Sequence, residues 1–218
     1  MERIQQILVD KGYFIGTSGI NKDGVDGKPG KLTLGALTNY IKDLCKENNY
    51  IFFQKNLYWF RTSDVFTDKF SDFVVVVVAG QAVEVANATT KPGKYYVYNP
   101  VTAGGITGTG CRVAGQTFSS HRFIAKGKSK WGGEKVGYFQ QISNLLIYRD
   151  GNKDDKLDKK ITQVAPTKFG FFLHAMGRGF SIWNWSAGCM GTPLDQWLKK
   201  IVPYFSDNDV INDTIFEA

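Results

Sequence analysis

Phe171-Phe172-Leu173-His174-Ala175-Met176-Gly177, followed after a short gap by Trp183-Asn184-Trp185-Ser186-Ala187-Gly188-Cys189-Met190, is the stretch on which the reading of this chain turns. The first segment has the texture of a strand that ends at His174, and glycines then turn the chain. A return through Ile182–Trp185 brings it back toward Cys189. Only two histidines occur in all 218 residues, and one of them stands fifteen positions before this cysteine. A nucleophilic thiol needs a base to ionise it and backbone N–H groups for the oxyanion it creates. Pairing with an imidazole raises the thiolate content of a cysteine. Gly188 lets the backbone beside Cys189 approach a substrate carbonyl closely. These residues form a candidate thiol site with a strand–turn–strand frame. The competing reading makes Cys189 a small buried hydrophobe and His174 a satisfied strand residue.

With these residues in place, the region resembles the L,D-transpeptidase (YkuD-type) catalytic domain, whose signature is a His, a loop, and then Ser/Thr-His-Gly-Cys. The resemblance implies Cys189 as the acyl-accepting nucleophile, His174 as its base, Ser186 at the signature serine and Gly188 at the glycine. It also implies an oxyanion hole built from the amides around Gly188 and Cys189. The chain departs from the signature in three places. Ala187 replaces the histidine before Gly-Cys, only eleven residues separate His174 from Ser186, and Gly191 stands where the family carries Arg or Asn. The Trp-Ser-Ala-Gly-Cys form is similar to a divergent branch found in phage and bacterial wall-acting proteins. His121 and Arg122, in a glycine-rich basic stretch, are expected to line the cleft, although His121 also reads as a surface residue of a solvated loop. Arg178, Trp183 and Trp185 complete the expected substrate-binding set, the two tryptophans either packing the hairpin or walling the cleft.

Working outward, the texture from about residue 51 is β. Tyr50–Phe60, Phe73–Val78, Tyr95–Tyr98 and Phe169–Leu173 are rich in aromatic and β-branched residues, separated by turns at Lys91–Gly93, Gly104–Gly105 and Lys126–Gly133. Thr90–Tyr96 is expected to lead into an early strand, and 136–146 fits either helix or strand. A helix is expected after Thr192, with Pro193 in its first turn and Leu194, Trp197, Leu198 and Ile201 on one face. The first fifty residues differ. Ile4, Ile7 and Leu8, and then Leu34, Leu37, Tyr40, Ile41 and Leu44, repeat at helical spacing, with Thr33 as a cap. Ile4…Leu8…Gly12-Tyr13 followed by Asp26-Gly27-x-x-Gly30-x-x-Thr33-x-x-Ala36-Leu37 resembles the small three-helix peptidoglycan-binding domain; Tyr40 and Ile41 supply the aromatic-containing last helix. The fold class expected is α+β: a small helical domain over 1–50, then a mainly β, L,D-transpeptidase-like β-sandwich domain over 51–218 with a C-terminal helix.

Composition narrows the function classes. With 43% hydrophobic and 22% charged residues the chain has a globular core rather than disorder. Three cysteines are too few for a disulfide scaffold, and at most one pair, such as Cys45 with Cys111, could close. The five-valine run is far too short to span a bilayer, and no transmembrane segment is expected. The N-terminus lacks an apolar run of signal-peptide length. The expected location is therefore synthesis in the cytoplasm without a leader, with action on the bacterial wall in the periplasm or outside, as for a phage-encoded lysin. Net charge is +7, concentrated in residues 112–170. It favours polyanions such as anionic wall polymers or lipopolysaccharide alongside bacterial peptidoglycan. Phe118, Phe123 and Trp131 among the bases also suit single-stranded nucleic acid, but no nucleic-acid motif accompanies them, and none is expected as a partner.

Asp150, Asn152, Asp154 and Asp158 fall at positions 1, 3, 5 and 9 of an EF-hand-like loop, with apolar Leu157 between. Asp155 replaces the glycine at position 6, and Ile161 replaces the glutamate at position 12. The pattern favours a solvated Asx-rich hairpin tip over a Ca²⁺ loop. No cofactor is required by the thiol chemistry, and Ca²⁺ on these four residues is the lesser expectation. The overall reading is a peptidoglycan-directed cysteine enzyme, hydrolase or transpeptidase. Its rivals are a non-catalytic wall-binding structural protein of a phage particle and, further behind, a basic nucleic-acid-binding protein.

Overall fold

The computed structural model describes residues 1–125, 136–177 and 181–218. Arg178, Trp131 and the expected turn at 126–133 lie outside the described residues. In chain order the elements are α1 (Glu2–Asp10), α2 (Lys31–Glu47), β1 (Asn56–Arg61), β2 (Asp72–Val78), β3 (Gln81–Ala88), α3 (Lys94–Tyr98), β4 (Thr102–Ala103), β5 (Ile106–Thr107), β6 (Thr109–Arg112), β7 (Gly115–Ile124), β8 (Tyr138–Gln141), β9 (Leu145–Asp150), β10 (Thr162–Ala165), β11 (Leu173–Ala175), β12 (Met190–Thr192), α4 (Leu194–Gln196) and β13 (Val210–Glu217). The protein is mainly β. Eight strands form one mixed sheet in the order β12-β11-β8-β7-β13-β1-β2-β3, and β10-β9-β6 form a second, smaller sheet. The large sheet closes on itself, because Thr89, just beyond β3, exchanges two backbone hydrogen bonds of 2.9 and 3.1 Å with Gly191 of β12.

The valine run explains how this sheet is covered. Side chains of a strand alternate between faces, so an unbroken apolar run requires both faces to be buried. Phe73, Val75 and Val77 enter one core with α1 and α2, whereas Val74 and Val76 enter a second core inside the curved sheet. β1 divides likewise, with Tyr58 and Phe60 toward the helices and Leu57 and Trp59 inside. Tyr40 of α2 stacks on Phe60, whose ring lies 4.6 Å from that of Phe73. The Thr38 hydroxyl accepts the Ala82 N–H at 2.8 Å and donates to the Leu34 carbonyl at 3.0 Å, tying α2 to β3. Residues 1–50 thus share one continuous core with the sheet. Among the described residues no helix is long and apolar enough to cross a membrane.

Several local expectations are corrected. Tyr95–Tyr98 is helical (α3), not a strand, because Gly93 starts a turn that leaves Tyr95 and Tyr98 exposed and Val97 buried. Thr33 lies buried inside α2, which begins at Lys31 after Gly30, so it is no cap. The residues after Thr192 form α4, a π turn at Trp197–Ile201 and a 3₁₀ turn at Val202–Tyr204. The chain then ends on a strand, β13, in the middle of the sheet rather than on a helix. Residues 136–146 resolve into β8 and the start of β9. All three cysteines are free, and Cys45 and Cys111 sit in different apolar clusters, so that disulfide does not form.

Charge burial is the feature that composition hid. Lys91 pairs with Asp72 at 3.1 Å and Arg112 with Asp213 at 2.5 Å, all four side chains being almost inaccessible. Asp72 also accepts from the Thr62 and Thr90 backbone N–H groups, and Arg61 donates to the Arg112 carbonyl at 2.6 Å. These ions join the strand ends and contribute nothing to the basic surface.

Candidate active site

β11 and β12 run parallel at one end of the large sheet, with Leu173 opposite Met190, His174 opposite Gly191 and Ala175 opposite Thr192. That register carries His174 and, one residue before β12, Cys189 to the same end of adjacent strands. Their imidazole and thiol hydrogen-bond to each other. The His174 Nδ1 lies 2.7 Å from the Ala175 carbonyl. A carbonyl only accepts, so Nδ1 carries the proton and Nε2 is left for the thiol. Cys189 is partly exposed as a residue; its sulfur accepts the Phe172 N–H at 3.4 Å, and as a thiol donates to the Gly170 carbonyl at 3.6 Å.

The electrostatics of the pair favour ionisation. Burial alone raises the Cys189 pKa, but the His174 hydrogen bond and charge, then the Phe172 N–H, bring it below the ordinary thiol value. Burial likewise opposes charge on His174, yet the hydrogen bond and charge of Cys189 leave its pKa above that of a free imidazole. Each group's charged form stabilises the other's, so the two titrations are coupled. The remaining thiols behave otherwise: burial pushes Cys45 up to about 11 and also raises Cys111.

Ser186 and Gly188 shape the turn that presents the sulfur. The buried Ser186 hydroxyl donates to the Cys189 carbonyl at 2.6 Å and accepts the Gly188 N–H at 3.1 Å. The Gly188 N–H is therefore used inside the turn, in place of the oxyanion role expected for it. Gly188 itself has φ of +146°, and a Cβ there would meet the Phe171 ring at 2.4 Å and the Gly110 carbonyl oxygen at 2.7 Å. Gly191 answers the departure noted in the sequence: a Cβ at this position would lie 1.9 Å from the His174 carbonyl oxygen, so the pairing of β11 with β12 admits only glycine.

The structure disperses the other expected residues. His121 is fully buried on β7, so it neither lines the cleft nor sits in a solvated loop. Arg122 points to the opposite side of β7 and is exposed. Trp183 is 54% exposed beside Tyr95, at 5.9 Å between ring centroids, and Trp185 is half-buried; a core role for Trp183 is excluded. A side-chain oxygen of each of Asp150, Asn152, Asp154 and Asp158 is engaged within the loop itself. Asp150 accepts the Asp158 N–H, Asn152 the Asp154 N–H, Asp154 the Lys156 N–H and Asp158 the Lys160 N–H. Among the described residues no group of three or more His, Cys, Asp or Glu is placed to hold a metal ion. Sequence reasoning missed Phe172 and Gly170, whose contribution is a backbone N–H and a backbone carbonyl and so leaves no residue-type signal.

No protein-family model matches the chain, and no curated protein does. Among solved structures it is similar to the L,D-transpeptidase (residues 123–326) from Xylanimonas cellulosilytica DSM 15894, at 15% identity over 99% of this chain and 92% of that one, with a TM-score of 0.34. A TM-score that low does not establish a shared fold.

Proposed function

We propose that the protein is a cysteine-nucleophile acyl-transfer enzyme acting on the stem peptides or cross-links of bacterial peptidoglycan. The observation that carries the chemistry is the hydrogen-bonded His174–Cys189 pair with the Phe172 N–H on the sulfur. The substrate class rests on the sequence resemblance carried by His174, Ser186, Gly188 and Cys189. The Cys189 thiolate attacks a peptide carbonyl carbon, forming a C–S bond. The His174 imidazolium gives its proton to the leaving amine as the C–N bond breaks. Water or an incoming amine, deprotonated by the same imidazole, then displaces the thiol from the thioester. Exposed Trp183 and Tyr95 offer aromatic surface near this turn for a substrate, and residues 1–50 would hold the wall polymer. No cofactor enters the cycle. Release onto the wall, as for a phage lysin, belongs to the same proposal.

The test is mass spectrometry of purified peptidoglycan treated with the protein and with Cys189→Ala. Soluble muropeptides that vanish with the variant indicate a hydrolase, and new cross-links or exchange of a terminal D-amino acid indicate a transferase. A wall left unchanged by both proteins, yet sedimenting with both, overturns catalysis in favour of a structural wall-binding protein.

A further inference from the structure

His121 and Gln141 are partners across β7 and β8, and both side chains reach the strand that feeds the candidate site. The His121 Nε2 lies 2.9 Å from the Phe171 carbonyl, and the Phe171 N–H donates to the Gln141 Oε1 at 2.9 Å. Because the carbonyl can only accept, Nε2 carries the proton, and Nδ1 accepts from the Ser120 hydroxyl at 2.9 Å. The Phe171 carbonyl and the Phe172 N–H belong to one planar peptide group. One face of that unit is thus held by His121, and its other end donates to the Cys189 sulfur at 3.4 Å. The preceding peptide is used the same way, with its N–H on Gln141 and its Gly170 carbonyl facing the sulfur at 3.6 Å.

We infer that His121 is a positioning residue for Cys189: its Nε2–H holds and polarises the Phe171–Phe172 peptide group, whose N–H stabilises the thiolate. A hydrogen bond to a carbonyl makes the N–H of the same amide a better donor, so an imidazole that never meets the substrate strengthens a backbone donor fixed on the sulfur. Gln141 fixes the neighbouring plane and sets its angle. Burial keeps the ring neutral and able to play this part, and Asp213 and Arg112, the charged groups that face His121, act in opposite directions on it. The inference rests on Cys189 being the nucleophile of the proposed function.

Alkylation of Cys189 by iodoacetamide, followed by mass as a function of pH, reads the thiolate directly and needs no peptidoglycan. His121→Leu should slow alkylation near neutral pH by about twofold, a fraction of the worth of one hydrogen bond, by moving the titration upward. His121→Gln, whose amide N–H can reach the same carbonyl, should recover most of the rate. A His121→Leu profile that superimposes on the wild type overturns the inference, as does a His121→Gln profile no better than His121→Leu. Should His121→Leu fail to fold, ¹⁵N shifts of the His121 ring in the wild type decide it: they must move when Cys189 is alkylated, and unchanged shifts overturn the coupling. Muropeptide release is scored separately. An inert wall with a slowed His121→Leu alkylation overturns the enzyme reading alone, and an active wall enzyme with an unchanged profile overturns only the role of His121.

Discussion

Cys189 and His174 were legible as a pair because the thiol chemistry demands those two residue types, and the glycines around them announced a turn. What the sequence could not show is which of the two histidines is solvated. His121 stands next to a serine and an arginine in a basic stretch, yet its neighbours on β13 and β8 enclose it completely. Two predictions belong to this scale. Because His174 and the Phe172 N–H draw the Cys189 pKa down, its alkylation should reach half-maximal rate below the ordinary thiol value. In His174→Ala only backbone N–H groups oppose the burial penalty, so the titration should move upward, toward or above that value. The rate at neutral pH then falls on the order of tenfold for each unit moved, measured by mass at several pH values. The second concerns folding. Burial, only partly offset by Asp213, lowers the His121 pKa from 6.5 to about 4. Between those values the unfolded chain binds the proton that the folded chain refuses, so stability rises with pH through this window and falls as the medium is acidified from 6.5 toward 4. The amount at stake is about 3 kcal/mol. Urea unfolding at a series of pH values should show that slope, and His121→Gln should flatten it.

At the scale of elements, the β11–β12 pair is what converts two distant residues into one site. Parallel strands this short have few hydrogen bonds of their own, and the pair holds because Gly191 lets the backbones close and because Thr89 pairs with Gly191 from the other side. In the sequence Gly191 is only a departure from the family signature; in three dimensions it is a packing requirement. Gly191→Ala should therefore push β11 away from β12, at a cost of several kcal/mol given an unavoidable backbone clash. It should separate His174 from Cys189 at the same time. Chemical denaturation should show the lost stability, and the alkylation profile of the folded fraction should move toward that of His174→Ala. A variant with wild-type stability and an unchanged profile would show that the strands tolerate the extra carbon, and that their register is held elsewhere. The misread elements have a related cause. Tyr95–Tyr98 carries strand-forming residues, but the turn at Gly93 and the burial of Val97 alone make one helical turn the better use of them.

For the whole molecule, texture in the sequence marks helical residues near the start and β residues after them, but texture does not report what each part packs against. The five valines of β2 contain the answer: an all-apolar strand has two dry faces, and in this chain α1 and α2 supply one cover while the sheet's own curvature supplies the other. The same blindness hid the buried charges, since a Lys or Asp carries no mark of the partner that will meet it. The shared core makes a definite prediction about the division at residue 50. Removing residues 1–50 would expose Tyr58, Phe60, Phe73, Val75, Val77 and Phe216 together, a contiguous apolar patch on the outer face of the sheet. At roughly 1.5–3 kcal/mol for each large side chain returned to water, the loss exceeds the stability of an ordinary domain. The fragment 51–218 should therefore be insoluble or bind a hydrophobic dye, with its thermal transition lost. Co-expression with 1–50 as a separate chain should restore solubility, because the missing contribution is a packing surface and not a covalent link. A soluble 51–218 with a sharp thermal transition would instead mean that the sheet tolerates an open outer face, and that the helices serve the ligand rather than the fold.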